Sequence, residues 1–233
     1  MDEDNPEYHP IFDTQDGIVV LKRIVEHYTN VFLPCEKKDR KHYRGLTKEE
    51  AARAAGLVLR HDEQRHSHAN SWAGKKGPED SAAALVRFSQ ALVERAGKLY
   101  ERMPFPELHD VVEEAAGPAG PPKPEPLLRY DAALMLAWHL RTEPEDVWLH
   151  SGTGRGVRTL GISTKGRKTV ILDELPIVFR ELPAWQVEDI LCIYGLVIHR
   201  VREGKLMDEA LFAKIEAKQQ QMACGHRRCK TSC

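Results

Sequence analysis

Two glycines in the second half of the chain have the type and spacing to bind a phosphate group. Gly152 and Gly154 lie in the segment Ser151-Gly152-Thr153-Gly154-Arg155, where glycines two apart favour positive φ angles and a tight chain reversal. Backbone N–H groups at the start of a helix after such a reversal face a phosphate and need no side chain to bind it. We therefore predict that these five residues contact the backbone of a nucleic acid.

A basic turn follows the glycines and offers the same kind of partner. The turn 163–168 contains Lys165, Arg167 and Lys168, which would add positive charge beside the same nucleic-acid strand. The alternative interpretation is that Gly152 and Gly154 only close a turn between two packed helices. In that case neither glycine contacts nucleic acid.

Two short helices are predicted to position these residues. Thr142 and Glu145 have the spacing of a capping box, in which each side chain bonds the backbone N–H of the other residue. A helix is therefore predicted to begin at Thr142, to carry the apolar residues 147–149 and to end at Ser151. A second helix is predicted over 155–160.

The segment Leu149–Arg155 resembles the hairpin of the helix-hairpin-helix DNA glycosylases, an apolar residue followed by glycine-x-glycine and a basic helix start. In that superfamily an aspartate ends an apolar extended run and begins a helix, about twenty residues after the hairpin glycines. Val170-Ile171-Leu172-Asp173 looks like that pattern, and Asp173 stands 21 residues after Gly152. The resemblance covers about residues 130–202 and extends to bacterial 8-oxoguanine glycosylase-like proteins.

The resemblance implies that Asp173 is catalytic. Its carboxylate would stabilise the positively charged sugar and orient the attacking nucleophile, while the target base is flipped out of double-stranded DNA. Gly156 stands where bifunctional members carry a lysine nucleophile, so the resemblance implies a monofunctional enzyme that needs no cofactor. Three alternatives remain. Glu174 could take the carboxylate role in place of Asp173, Asp173 could be only the N-cap of a helix over 174–182, or the chain could be a catalytically inactive helical interaction module.

Composition restricts the class of protein. Of the 233 residues, 30% are charged and 42% hydrophobic, and the net charge is −1, so any DNA contact must come from a local basic patch. The start Met1–Asp4 is acidic, unlike a signal peptide, and no apolar run is long enough to span a bilayer. Three of the five cysteines lie in the last ten residues, which is not typical of a secreted disulfide framework. We expect a cytoplasmic or nucleoid-associated protein with no membrane partner.

Apolar periodicity predicts an all-α fold. Apolar residues recur at three- and four-residue steps in several segments, the longest being 187–201. Five prolines in 117–126 exclude helix and central strand and predict an extended linker. We therefore predict two helical lobes joined by that linker. The predicted division is an N-terminal lobe over 1–116, the linker over 117–126, a helix-hairpin-helix lobe over 127–222 and a cysteine-containing tail over 223–233.

Two local signals in the first half make further predictions. Thr47 and Glu50 form a second capping box, which opens a helix. Pro34 is predicted to end the first helix, and the basic run 37–44 that follows is predicted to be a surface loop.

Two segments contain possible metal ligands. Asp62 and His66 are four apart and can share a helix face, with His68 nearby, but the spacing matches no metal motif and favours solvated histidines. In the tail, three cysteines and a histidine could bind zinc, but ten terminal residues lack the spacing of stable zinc folds. We favour a disordered, oxidisable tail and predict no metal site. The potential tail ligands are Cys224, His226, Cys229 and Cys233.

Overall fold

The computed structural model describes residues 10–66, 68, 69, 78–117 and 126–204, together with 213 and 217. This part of the chain is mostly helical and contains one two-stranded antiparallel sheet. The predicted all-α fold is therefore confirmed. None of the described helices is both long enough and apolar enough to cross a bilayer. The interior of the predicted linker and the cysteine-containing tail lie outside the described residues.

The helices and strands are named here in chain order. They are α1 (Gln15–Val31), α2 (Leu33–Gly45), α3 (Lys48–Gly56), α4 (Pro78–Glu94), α5 (Phe105–Ala116), α6 (Pro126–Leu140), β1 (Val147–Trp148), α7 (Ser151–Thr159), β2 (Thr169–Val170), α8 (Ile177–Arg180) and α9 (Ala184–Arg202). Short 3₁₀ turns occur at Pro10–Asp13, Ala96–Lys98 and Leu172–Glu174.

The described residues divide into two compact units. The first combines residues 10–34 with residues from Pro144 to 204, and the second lies between Cys35 and Glu143. This division differs from the predicted boundary at 117–126, because α6 packs against α5 and α3 and so belongs with the helices that precede it. The predicted hairpin segment lies in the first unit, together with α1.

In the second unit, local signals explain where two helices begin. The predicted capping box of α3 is confirmed: Thr47 Oγ1 accepts a hydrogen bond from the Glu50 N–H, and Glu50 Oε2 accepts one from the Thr47 N–H at 2.8 Å. The predicted loop over 37–44 is wrong, since these residues continue α2. Pro34 lies in the first turn of α2, where its missing N–H costs no hydrogen bond. Tyr43 anchors α2 by burying its ring and donating a hydrogen bond to the Leu59 carbonyl at 2.7 Å.

In the first unit, α9 forms the centre of the core. The predicted apolar stripe is confirmed, because its members are all buried. Helix α9 packs against α7 and α1, and Tyr28 of α1 donates a hydrogen bond to Asp189 of α9 at 3.0 Å. The buried members of the stripe are Val187, Ile190, Leu191, Tyr194, Val197, Ile198 and Val201.

The capping box predicted at Thr142 opens no helix. Helix α6 ends at Leu140, Arg141 takes a φ of 59°, and the Thr142 N–H donates to the Ala137 carbonyl at 2.9 Å. The predicted helix over 147–149 is also wrong. Its first two residues form β1 instead, because β-branched and aromatic side chains suit a strand that pairs with β2.

Candidate nucleic-acid interface

A small β1–α7–β2 element carries the predicted phosphate-binding residues. Val147 pairs with Val170 and Trp148 with Thr169 in antiparallel register, and the Leu149 N–H donates to the Lys168 carbonyl at 2.8 Å. Helix α7 lies in the connection between the two strands. Strand β1 therefore replaces the first predicted helix, whereas the predicted helix over 155–160 is confirmed, because α7 covers nearly all of it.

The two glycines lie inside the first turns of α7 and do not form a chain reversal. His150 is the N-cap of α7, and its Nδ1 accepts a hydrogen bond from the Gly152 N–H at 3.2 Å. The Gly154 N–H donates to the His150 carbonyl at 2.7 Å. The predicted hairpin conformation is therefore wrong, and these two amides already have partners within the protein.

A buried polar network joins the start of α7 to α9. Thr153 Oγ1 donates to Glu188 Oε1 at 2.7 Å, and the Nε2 of His150 contacts the same carboxylate oxygen. Since His150 Nδ1 accepts from the Gly152 N–H, the hydrogen-bond pattern assigns the ring proton to Nε2, which donates to Glu188. The side chains of His150 and Glu188 are each 3% exposed. This network joins α7 to α9, and a buried polar network of this kind contributes to stability only while all its members are bonded.

Close packing of α7 on α9 explains the glycine content of α7. A Cβ atom on Gly156 would lie 2.5 Å from the carbonyl oxygen of Leu191 in α9, closer than real Cβ contacts allow. A Cβ on Gly195 of α9 would in turn lie 3.8 Å from the Cα of Gly156, so the two helices meet glycine against glycine. The sequence signal that could have revealed this is the pair Gly152 and Gly156, four residues apart on one helix face, where small residues allow a close crossing.

The predicted contact residues separate into buried and exposed groups. Thr153 and Gly154 are buried and Gly152 is partly buried, whereas Ser151 and Arg155 are exposed on α7. Thr153 therefore contributes to packing through Glu188 and does not face solvent. Lys165, Arg167 and Lys168 are all exposed, and the predicted turn is confirmed by the Arg167 N–H, which donates to the Thr164 carbonyl at 3.2 Å.

Exposed cations on α7 and on the turn form a basic face. The sequence from Val147 to Leu172 contains no aspartate or glutamate. Arg158 Nη1 donates to Thr164 Oγ1 at 3.1 Å, which ties α7 to the turn, and Arg202 Nη1 of α9 donates to the Arg158 carbonyl at 3.3 Å. The basic face is defined here as Arg155, Arg158, Lys165, Lys168 and Arg202.

Arg167 is left out of the basic face because it is paired with a carboxylate. Its guanidinium makes a two-pronged ion pair with Glu174, with Nη1 to Oε2 at 2.7 Å and Nη2 to Oε1 as the second contact. The hydrogen bonds from Arg167 lower the pKa of Glu174, and the same pair raises the pKa of Arg167. A phosphate would therefore have to compete with Glu174 for this side chain.

Asp173 is an exposed residue of the 3₁₀ turn Leu172–Glu174. Its predicted role as a helix N-cap is wrong, because Pro176 caps α8 and Ile171 precedes the 3₁₀ turn. The rigid φ of Pro176 starts α8 three residues later than expected. Asp173 therefore presents its carboxylate at the surface, and helix capping does not account for its presence.

In comparisons with known proteins, no protein-family model, no curated protein and no solved structure matches this chain.

Proposed function

We propose that this protein binds double-stranded DNA through contacts between its basic face and the phosphate backbone. The observation that carries the proposal is the absence of any acidic residue from Val147 to Leu172, in a segment that presents four exposed cations of the basic face. Neutralising phosphates with lysine and arginine releases condensed counterions, which supplies most of sequence-independent affinity. With a net charge of −1, the whole chain offers no comparable general attraction.

Side chains, and not hairpin amides, provide the contacts in this proposal. The N–H groups of Gly152 and Gly154 are already bonded to His150, so they have no capacity left for a phosphate. Arg155 and Arg158 are three apart on the exposed face of α7, a spacing at which two helical side chains are neighbours. Lys165 and Lys168 extend the same positive charge over the adjoining turn.

Salt-dependent binding tests this proposal. Fluorescence anisotropy should show the protein binding several unrelated duplexes with similar affinity, and that affinity should fall steeply as salt rises. Changing Arg155 and Arg158 together to Gln should reduce the slope of log affinity against log salt by about 2, because each phosphate contact contributes about 0.9. The matched control changes Arg53 and Arg87 to Gln, which removes the same charge from exposed positions of α3 and α4.

Equal slopes for the two double variants would show that the basic face is not the DNA-binding surface. If the wild-type protein shows no salt-dependent binding to duplex DNA at all, the proposal itself fails. A binding protein whose slope falls only in the Arg155 and Arg158 variant supports it.

Base excision by Asp173 is the finer proposal, and it rests on the resemblance to the helix-hairpin-helix glycosylases. Its structural support is that Asp173 is exposed beside the basic turn, where it can approach a sugar without first leaving a packing role. Asp173→Asn should abolish base release from a damaged duplex and leave DNA affinity nearly unchanged, while Glu181→Gln, at another exposed acid, should change neither. The product should be an abasic site that breaks only after alkali. If the wild type binds duplex DNA but releases no base from a panel of damaged duplexes, base excision fails and DNA binding stands.

A catalytically inactive interaction module is the second candidate, and one observation favours it. Ile171 and Ile177, on either side of Asp173, are 48% and 55% exposed, and Leu196 of α9 is 59% exposed. Large apolar side chains in such positions suit a protein partner better than a phosphate backbone. If Asp173→Asn alone removes an activity on DNA, the inactive interaction module is excluded.

A further inference from the structure

Three side chains in the second unit bring metal-ligand atoms together. His66, His68 and Asp131 each offer one donor atom, and these three atoms all lie within 4.8 Å of one another. The Nδ1 of His68 lies 3.0 Å from Asp131 Oδ2, and the Nδ1 of His66 lies 3.4 Å from the same oxygen. The interpretation of these histidines as solvated is therefore wrong, because both approach one buried carboxylate.

Backbone hydrogen bonds place His66 in this position. The chain reverses over 60–64, where the Arg60 N–H donates to the Gln64 carbonyl at 2.8 Å, and the His66 N–H then donates to the Val58 carbonyl at 2.8 Å. Asp62 accepts from the Gln64 N–H within this turn, so it does not share a helix face with His66 as predicted.

The Asp39 carboxylate accepts hydrogen bonds at the start of the same reversal. Its Oδ2 accepts from Arg60 Nε at 2.9 Å, and its Oδ1 accepts from the His61 N–H at 2.8 Å. Asp39 is buried, so these hydrogen bonds are shielded from solvent. The two histidines that follow the loop thus start from a fixed backbone.

Asp131 comes from a rigid helix. It lies on α6, where almost every residue from Leu128 to Leu140 is buried, and its own side chain is 10% exposed. The two histidine side chains are each 29% exposed. The cluster therefore has one buried ligand on a fixed support and two ligands on a side that solvent can reach.

One nitrogen of this cluster lacks a hydrogen bond within the described part of the chain. One carboxylate oxygen faces two imidazole nitrogens, and only His68 is at hydrogen-bond distance with suitable geometry. The buried Nδ1 of His66 has no hydrogen-bond partner among the described residues. The two imidazole rings are also close, with centroids 4.5 Å apart, so protonating both would place two positive charges side by side.

A metal ion would use all three donor atoms. Bond lengths of 2.0–2.1 Å in a tetrahedral zinc site separate neighbouring donor atoms by about 3.3 Å. The two separations from Asp131 Oδ2, 3.0 and 3.4 Å, bracket that value. Imidazole and carboxylate are ligands that suit zinc and other divalent transition metals.

We propose that His66, His68 and Asp131 bind a divalent transition-metal ion, with zinc as the metal. Three protein ligands leave a fourth tetrahedral position open on the solvent side, as in zinc sites that hold a water molecule or a substrate.

Metal titration of the full-length protein tests this site. After treatment with a chelator, Zn²⁺ binding is measured by isothermal titration calorimetry and Co²⁺ binding by visible absorption. We expect a single ion per chain and a cobalt spectrum without a sulfur-to-metal charge-transfer band, because the ligands are nitrogen and oxygen. The titration is repeated on full-length protein in which the tail cysteines are replaced by serine, since those residues also offer ligands. They are Cys224, Cys229 and Cys233.

Single substitutions assign the ligands. His68→Ala and Asp131→Asn should each weaken zinc affinity by more than about tenfold, whereas His199→Ala, which removes an exposed histidine of α9, should leave it unchanged. Circular dichroism checks that each variant is folded. If Asp131→Asn unfolds because of its buried position, His66→Ala and His68→Ala decide the question from the partly exposed side. Zinc affinity that is equal in the wild type and in both folded histidine variants would overturn the proposal, as would a wild-type protein that takes up no zinc.

Discussion

The close crossing of α7 and α9 makes a strong prediction about two glycines of the same helix. Gly154 and Gly156 both lie in α7, and neither has a positive φ. A Cβ added at Gly154 would meet only the tip of the Arg158 guanidinium, at 3.4 Å. A Cβ added at Gly156 would lie 2.5 Å from the Leu191 carbonyl oxygen and 3.0 Å from its carbonyl carbon, which are backbone atoms.

The expected changes in stability follow from two opposing effects. Replacing a helical glycine with alanine favours the helix by about 1 kcal/mol at either position. At Gly154 the flexible arginine tip can move aside, so the free energy of unfolding should rise by nearly that amount. At Gly156 the collision between the new Cβ and Leu191 can be relieved only if α9 itself shifts. Overpacking of a close-packed contact costs about 1–3 kcal/mol. Taking the upper end for a backbone contact, Gly156→Ala should lose about 2 kcal/mol, and the two variants should differ by about 3 kcal/mol.

Urea unfolding followed by far-ultraviolet circular dichroism measures this difference. With a slope of about 3 kcal/mol per molar urea, the two midpoints should be separated by roughly 1 M. The two variants are matched in residue type, helix and composition, so a shared error in the slope affects both alike. A Gly156→Ala protein that is as stable as Gly154→Ala would show that α7 does not pack on α9 at this distance.

Two further predictions concern buried hydroxyl groups. Burial, and then the charge of Asp39, raise the pKa of Tyr43 well above its usual value, so its stabilising contribution is complete below the unfolded-state pKa of about 10 and is lost as pH rises beyond it. Tyr43→Phe should lower the free energy of unfolding by about 1 kcal/mol at neutral pH. Between about pH 9.5 and 11, urea titration should show a smaller fall in the free energy of unfolding for this variant than for the wild type. Thr153→Val removes a hydrogen bond to the buried Glu188 carboxylate and should cost about 1.5–3 kcal/mol. Thr159→Val, whose hydroxyl bonds only a carbonyl of its own helix, should cost clearly less in the same assay, and equal losses would contradict the assigned network.

Sequence patterns predicted the elements whose signals are local and strong. The stripe of α9 could be recognised because seven apolar residues at helical spacing have no alternative to burial. The capping box at Thr47 and Glu50 formed as predicted because α3 follows it directly with good helix formers. The turn over 163–168 needed only Gly166, which takes a φ of +70°.

Elsewhere, tertiary packing decided between two conformations that the local sequence allows. Thr142 and Glu145 have the same spacing as the capping box of α3, yet Val147 gains more from pairing with β2 and from complete burial than from a short helix. Gly152 and Gly154 permit a reversal, but the N-cap His150 and its buried partner Glu188 stabilise a helix over them. Glu188 lies on a different helix, so no local pattern could have revealed its role.

The histidine cluster could not be predicted for the same reason. His66 and His68 are separated by a single residue, which alone is a weak signal, and the third donor, Asp131, is 63 residues further along the chain from His68. Asp131 also sits in the most apolar helix of the second unit, where a single carboxylate has to be satisfied by something outside the helix. A buried acid in an otherwise apolar helix was the available clue, and it indicates that a partner exists without saying which residue it is.

The packing at Gly156 also bears on the chemistry that the glycosylase resemblance implies. Bifunctional members carry a lysine nucleophile at the equivalent of position 156, and a lysine side chain has four more heavy atoms beyond Cβ. Here the Cβ alone would collide with the Leu191 backbone, so a lysine at this position would require α7 and α9 to separate. Separation would also break the hydrogen bond between Thr153 and Glu188, which joins the same two helices. A lysine nucleophile at position 156 and the close α7–α9 crossing are therefore mutually exclusive, so a Schiff-base mechanism in this fold would need a lysine at another position.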